Sequence, residues 1–303
     1  MTRAKLGRVL TAMVTPFDRE GAVDYEQTKR LAYALIESGS DGIVVAGTTG
    51  ESSTLSTEEK LRLFTVVKEV VGDRGAVIAG TGGNNTFQSV QLTKEAARIS
   101  VDGILSVVPY YNKPTQEGLF RHFCTIAEAT DLPLLLYNIP SRSIISLSLD
   151  TTIKLSQVLN IVGIKEASGN FDQIAQIIRG TEEGFLVYSG EDSHTLPILS
   201  IGGYGVISVV SHLVGQQLSQ MIQNYLNGDV ASAAQTHRRL LPLMKSMFVV
   251  TNPAPVKYAL GLAGFPVGTP RLPLVEPDEV SKASIESTLN EYQFDLKVES
   301  WLQ

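Results

Sequence analysis

A chain of 303 residues, 43% hydrophobic and 18% charged, has the make-up of a soluble globular protein, long enough for one large α/β barrel with an appendage or for two ordinary domains. A net charge of -6 argues against nucleic acid or an anionic membrane surface as a partner, since both need clustered Lys/Arg, although a small acid can still be held by one local arginine. One cysteine, Cys124, excludes a disulfide framework. With only four histidines, no thiolate or imidazole cluster reaches metal-ligand spacing, so neither a metal nor another cofactor is implied.

Residues 2–5 are basic, but the apolar run behind them is broken by Gly7, Arg8, Thr11 and Pro16, so no secretory segment is expected. No later stretch approaches the roughly 18 uninterrupted apolar residues of a membrane span. The expected location is the cytoplasm. Short apolar runs then alternate with longer amphipathic ones, the signature of βα units around a parallel sheet. Strands are predicted at 9–17, 42–46, 76–80, 103–109, 132–139, 161–165, 185–189 and 205–209, with helices between them, for instance at 24–38, 57–71, 86–100, 115–130 and 171–180. The run Ser56-Thr57-Glu58-Glu59 reads as a near capping box, and Thr115 as an N-cap with Glu117 in the first turn. Eight such units suit a TIM barrel better than an open doubly wound sheet, for which six strands are usual. The eighth unit ends near Asn227-Gly228-Asp229. Beyond it the text is helical, at 230–249, 255–263 and 279–292, with Pro253 and Pro255 where one helix stops and the next begins. The prediction is an α/β chain: a TIM (β/α)8 barrel over 1–227 carrying the active site, and a C-terminal helical appendage over 228–303.

The run Ile161-Val162-Gly163-Ile164 reads as a strand buried on both faces, and it ends on Lys165 just before a Ser168-Gly169-Asn170 turn. Inside a barrel, desolvation would lower the pKa of that amine. A fall of about three units from about 10.4 makes the neutral, nucleophilic form abundant at pH 7. The alternative is a lysine that snorkels to solvent and pairs with Glu166.

In a TIM barrel the working face is the C-terminal end of the strands. Just past the apolar runs stand Gly47-Thr48-Thr49-Gly50-Glu51-Ser52, Thr81-Gly82-Gly83-Asn84-Asn85, Pro109-Tyr110-Tyr111-Asn112-Lys113-Pro114, Tyr137-Asn138-Ile139-Pro140-Ser141-Arg142, Lys165 and Gly190-Glu191-Asp192. Tyrosines, threonines, an arginine and a lysine are thus expected at one mouth: a nucleophile, hydroxyls to relay protons, and a guanidinium fork for a carboxylate. Singly, each has a plainer reading: a tight turn at 47–50, loop anchors at Tyr110 and Tyr111, a surface Arg142, a mobile loop at 141–148. The 47–50 turn lacks the lysine of a phosphate loop, and 80–83 is too short for a dinucleotide fingerprint. Glu191 and Asp192 would repel a phosphate at the usual barrel site, which argues against a sugar-phosphate aldolase. His122, in a helical pattern with Phe120 and Phe123, reads as structural.

Taken together, Gly47-Thr48-Thr49-Gly50-Glu51, Tyr110-Tyr111-Asn112-Lys113-Pro114, Tyr137-Asn138-Ile139-Pro140-Ser141-Arg142, the segment from Gly163 to Asn170, and Asn252-Pro253-Ala254-Pro255-Val256-Lys257 resemble the motifs of the dihydrodipicolinate synthase (4-hydroxy-tetrahydrodipicolinate synthase) family. That family lies in the pyruvate-dependent aldolase superfamily, which also holds the N-acetylneuraminate lyases. The match runs in order from about Gly7 to about Pro277. The resemblance implies a lyase in which Lys165 forms an imine with pyruvate, whose enamine attacks the aldehyde of L-aspartate 4-semialdehyde in lysine (diaminopimelate) biosynthesis. It implies Tyr137 as proton donor and acceptor at the imine, helped by Thr48 and by Tyr111 lent from a neighbouring subunit. Thr49 would hold the pyruvate carboxylate, the backbone of Ile207 would line the pocket, Gly190 would allow close approach, and Arg142 would receive the semialdehyde carboxylate.

The resemblance also implies a homotetramer built from tight dimers. Thr48-Thr49 and Arg142 favour the synthase over the alternative within the superfamily, a lyase of N-acetylneuraminate or a keto-deoxy sugar acid. A barrel retired to noncovalent binding would need a lost member of the lysine, tyrosine and arginine set, and none is missing. Ser143-Ile144-Ile145 departs from the family's usual pair after the arginine. Of the family's lysine-effector cleft, Ser52, Ser53, Asn84 and Tyr110 match, whereas Thr57 and Lys60 stand where sensitive enzymes carry histidines, and Gln88 replaces an acidic residue. An ammonium ligand would meet Lys60 and lose the carboxylate, so weak or absent lysine feedback is expected.

Overall fold

The computed structural model describes residues 6–296; the basic residues 2–5 and the end of the predicted tail, 297–303, lie outside the described residues. Eight parallel strands, β1 (Val9–Ala12), β2 (Gly42–Val45), β3 (Ala76–Gly80), β4 (Gly103–Val107), β5 (Leu134–Asn138), β6 (Ile161–Glu166), β7 (Leu186–Ser189) and β8 (Gly205–Ser208), close into a barrel in chain order. Closure comes from β1, which pairs with β2 on one side and β8 on the other.

Three strands, β1, β4 and β5, fall short of their apolar runs by two residues or more, and each has a proline in the part of the run it gives up. Met13 still donates to Val44 O at 3.1 Å, but Pro16 has no N–H to continue the ladder, and the chain turns so that Phe17 bridges to Val23. In the same way β4 stops ahead of Pro109, and β5 begins only after Pro133. Between strands, the predicted caps are present. Ser56 and Glu59 form a reciprocal capping box on helix Thr57–Val71, and Thr115 accepts from Gly118 N at the head of helix Gln116–Ala127.

Alternation along the strands sorts side chains into two apolar layers. Leu10, Val44, Ile78, Leu105, Leu135 and Ile207 fill the cylinder, while neighbours such as Val9, Ile43 and Leu134 pack outward beneath the helices. At the floor of the cylinder Tyr188 donates to Gly7 O at 2.7 Å and meets Tyr204 edge to face. The same period sends Tyr137 inward beside Leu135, and places Lys165 opposite it across the β5–β6 pair. Asn138 and Glu166, one residue on, therefore face outward.

Beyond the eighth unit, helices Val230–Ser246, Ala254–Leu262 and Glu279–Leu289 follow. Their Leu240, Leu243, Val256, Leu260 and Ile285 belong to the same apolar cluster as the barrel's outer layer. The helical part is thus packed into the barrel wall rather than around a core of its own. No helix among the described residues is long and apolar enough to cross a membrane.

Candidate active site

At the C-terminal rim a cavity of about 160 Å³ is lined by Thr48, Ser52, Ser53, Tyr110, Tyr137 and Arg142, among others. Residues from the ends of β2, β4 and β5 thus meet, as the barrel topology requires. Ser52, Ser53 and Tyr110, the positions matching an effector cleft, share this space with Thr48 and Tyr137, so within one chain the two sets border a single cavity. Thr48 and Tyr137 face the same space, although no hydrogen bond joins their hydroxyls among the described residues.

Lys165 is 6% exposed, and its Nζ stands 4.2 Å from the centroid of the Tyr137 ring. Among the described residues it has no ion-pair partner. Glu166, the partner of the plainer reading, is turned to the other face of β6. There it accepts from both Asn138 Nδ2, at 3.1 and 3.2 Å, and Ser168 N, at 2.8 Å. Burial pushes the Glu166 carboxyl up, against the pull of those donors. Gly190 leaves room for the lysine stem: a Cβ there would lie 2.7 Å from Ala167 Cβ and 3.2 Å from Lys165 Cε.

Asp192 does not face the mouth as an exposed repelling charge. It is 2% exposed, and its Oδ2 accepts from the N–H groups of Val209 and Val210, at 3.0 and 2.9 Å, just ahead of helix Ser211–Leu226. The backbone donors that would hold a phosphate are already taken by a carboxylate, a firmer reason against a phosphate there than charge alone. Burial raises the Asp192 pKa, while Ser208, the two amides and the nearby Lys165 charge lower it.

Arg142 sits in a single helical turn, Pro140–Ser143, and its Nη2 donates to Asn252 O at 3.4 Å. The segment behind it is fastened rather than loose. Ser143 Oγ bonds Ile139 O and Ile145 O, and Asn138 Oδ1 accepts from Leu147 N and Ser146 Oγ. Thr49 is 4% exposed, and its Oγ1 receives Asn252 Nδ2 at 2.9 Å. Ile207 is buried in the cylinder, in register with Leu10.

Of the expected set, Thr48, Tyr137 and Arg142 line the cavity; Lys165, Thr49, Gly190 and Ile207 are not among its lining residues, and neither is Tyr111. Tyr111 is 87% exposed at φ +76°, a left-handed conformation uncommon for a bulky side chain. Asn84 accepts through its backbone from Asn112 Nδ2 at 2.8 Å, and Gln88 is exposed on helix Thr86–Arg98. Lys60 is half-buried, and burial lowers its pKa. His122 is a buried structural residue bonded through Nδ1 to Thr86 Oγ1 at 2.8 Å.

Sequence reasoning assigned no role to three supports of this site: Asn252, the Glu51–Lys257 ion pair at 2.6 Å, and the Asn138–Glu166 link. Polar residues within the quoted motifs were the only signal, because their partners lie far away in the chain. Among the described residues no group of three or more His, Cys, Asp or Glu could hold a metal ion.

The fold and this mouth define a TIM-barrel enzyme whose chemistry sits at the strand ends. The sequence matches the dihydrodipicolinate synthetase family over residues 5–292. It is 56% identical over 294 residues to the 4-hydroxy-tetrahydrodipicolinate synthase of Dehalococcoides mccartyi, covering 97% of this chain and 99% of that one. The fold matches the dihydrodipicolinate synthase of Cyanidioschyzon merolae solved with lysine bound, with a TM-score of 0.94, 46% identity, and coverage of 95% and 99% of the two chains. It also matches a monomeric dihydrodipicolinate synthase variant, with a TM-score of 0.91, 41% identity, and coverage of 94% and 96%. The chain belongs to the dihydrodipicolinate synthetase family, lyases of the pyruvate-dependent aldolase superfamily, and carries 4-hydroxy-tetrahydrodipicolinate synthase activity in the diaminopimelate route to lysine.

Proposed function

We propose that Lys165 is the nucleophile of this activity, forming an imine with pyruvate whose enamine condenses with L-aspartate 4-semialdehyde. One observation carries the reading: a buried amine that has no ion-pair partner among the described residues, 4.2 Å from the centre of a phenol ring that lines the rim cavity. Neutral amine adds to the keto carbon, and loss of water from the carbinolamine needs a proton delivered to the departing hydroxyl. In this reading Tyr137, whose ring lies beside the amine, gives that proton and takes one from the pyruvate methyl as the enamine forms. The enamine carbon then bonds to the aldehyde carbon of the semialdehyde; the aldehyde C=O opens, its oxygen takes up a proton to become a hydroxyl, and the enamine returns to an imine. The semialdehyde's own amine displaces Lys165 from the imine carbon, which closes the ring and frees the enzyme.

Thr48 serves Tyr137 as a relay, and Tyr111, exposed on its own chain, completes the relay in a neighbouring subunit. Thr49 and the backbone at Ile207 hold the pyruvate carboxylate, Gly190 keeps the lysine stem unobstructed, and Arg142 takes the semialdehyde carboxylate by its fork. The barrel over 1–227 does the chemistry, and the helical part over 228–303 props its mouth. The working assembly is a cytoplasmic homotetramer of tight dimers. Ser52, Ser53, Asn84, Tyr110, Lys60 and Gln88 form an effector cleft poorly suited to lysine.

Borohydride added with pyruvate tests the reading. A stable adduct mapped to Lys165 is expected, and an unlabelled chain would overturn it. Product formation from pyruvate and aspartate semialdehyde, set against cleavage of N-acetylneuraminate by the same preparation, separates this activity from that of a sugar-acid lyase.

A further inference from the structure

Asn252 lies at the entry to helix Ala254–Leu262, far along the chain from the barrel strands, yet it touches two groups of the site. Its Nδ2 donates to Thr49 Oγ1 at 2.9 Å, and its carbonyl receives Arg142 Nη2 at 3.4 Å. The residue is 5% exposed, and its Oδ1 has no hydrogen-bond partner among the described residues, so the side-chain amide is anchored through the Thr49 contact. A carboxamide nitrogen donates and cannot accept. The Thr49 oxygen must therefore accept from Asn252, which leaves the single hydroxyl proton of Thr49 free to point elsewhere, toward an acceptor.

We infer that Asn252 is a positioning residue that turns the Thr49 hydroxyl into a committed donor for the pyruvate carboxylate. The inference rests on the reading of Thr49 as the carboxylate holder. Its physical content is one of polarity. A carboxylate only accepts hydrogen bonds, so a threonine that could donate in two directions binds it less well than one whose acceptor side is already occupied. A mere staple between the 47–52 turn and the C-terminal helices would need the shape of Asn252 but not the sign of its contact.

Asn252→Asp keeps the shape and reverses the sign. The new carboxylate takes the Thr49 proton and adds a negative charge beside the substrate's own, while the backbone carbonyl toward Arg142 is untouched. Steady-state kinetics of the full chain, with each substrate varied separately, should show KM for pyruvate raised by about tenfold or more and KM for the semialdehyde changed by less than about threefold. The thermal midpoint should stay within about 5 °C of wild type. In a Thr49→Val background the same substitution should raise that KM by a clearly smaller factor than it does in wild type, because the contact is gone and only the repulsion of the added charge remains.

A KM for pyruvate within about twofold of wild type would overturn the inference. So would a rise in both KM values with a lowered thermal midpoint, or effects that multiply in the double variant. Borohydride trapping of wild type with pyruvate keeps the two levels apart. Without a label on Lys165 the imine reading fails, and the inference falls with it; a labelled wild type with an unresponsive Asn252→Asp overturns the inference alone.

Discussion

Lys257 and Glu51 meet at 2.6 Å with both side chains 1% exposed, joining a C-terminal helix to the turn after β2 that carries Thr48 and Thr49. Glu51 holds that turn at φ +56°, and its other oxygen accepts from Arg271 N at 2.8 Å. Burial pulls the Lys257 ammonium down to about 8 against the opposing attraction of Glu51. A buried pair adds little net stability, but a broken one leaves an uncompensated charge. Lys257→Met is therefore expected to cost about 3–5 kcal/mol, read from the denaturant midpoint, and Glu51→Gln added to it should restore much of the loss. A single variant within about 1 kcal/mol of wild type would show that the pair does not hold the turn.

Tyr137 presents its ring to the Lys165 amine and borders the cavity. Removing only its hydroxyl, in Tyr137→Phe, should leave the circular dichroism spectrum and thermal midpoint unchanged while turnover falls by about 10²–10⁴-fold. Turnover within about threefold of wild type would take the phenol out of the mechanism.

Gly190 has no tolerance for a side chain on the site face, since a methyl would come 2.7 Å from Ala167 Cβ and 3.2 Å from Lys165 Cε. Displacement of the amine by a few tenths of an ångström disturbs its line of attack. Gly190→Ala should slow borohydride trapping of pyruvate by about tenfold or more, with stability lowered by no more than about 3 kcal/mol. Trapping at the wild-type rate would mean that the stem has room to spare.

Lys60 is half-buried with its pKa lowered by burial, and Gln88 offers no charge to an ammonium. Added lysine is expected to inhibit weakly or not at all. Half-inhibition of the purified enzyme below about 1 mM would contradict the reading of the cleft, since that affinity implies at least one well-placed anionic partner.

His212 is fully buried, with Nδ1 toward Val209 O and Nε2 accepting from Val14 N, an arrangement only the neutral ring can satisfy. Burial lowers both His212 and His122 from 6.5 to about 4. Between those values the unfolded chain binds protons that the folded one refuses, so stability present above pH 6.5 is lost as pH falls toward 4. Each ring can account for on the order of 3 kcal/mol. Thermal midpoints should drop across this window, and His122→Gln should shrink the drop; an equal drop in the variant would exclude His122 as a source.

The strand count, the parallel order and the rim motifs were legible in the sequence because they depend on local pattern. Apolar runs of strand length, amphipathic helices between them and polar clusters just past each run follow from the two periodicities of the backbone. Strand ends were less legible: the runs at 9–17 and 103–109 reach a proline, Pro16 or Pro109, whereas the strands stop at Ala12 and Val107. Family motifs supplied the chemistry around Lys165, although nothing in that stretch alone separates a buried nucleophile from a lysine reaching for solvent.

What the linear chain determined is therefore the kind of barrel and the cast of reactive groups. Only the tertiary structure decided who touches whom: that Lys165 faces Tyr137 while Glu166 turns away, that Asp192 spends its charge on two backbone amides, and that Asn252 and Lys257 reach back to Thr49 and Glu51. Those pairings bring together residues with no periodic relation along the chain. They arise from closure of the cylinder and from the docking of the last helices against its mouth, which bury polar groups that must then find partners among whatever the fold has carried beside them.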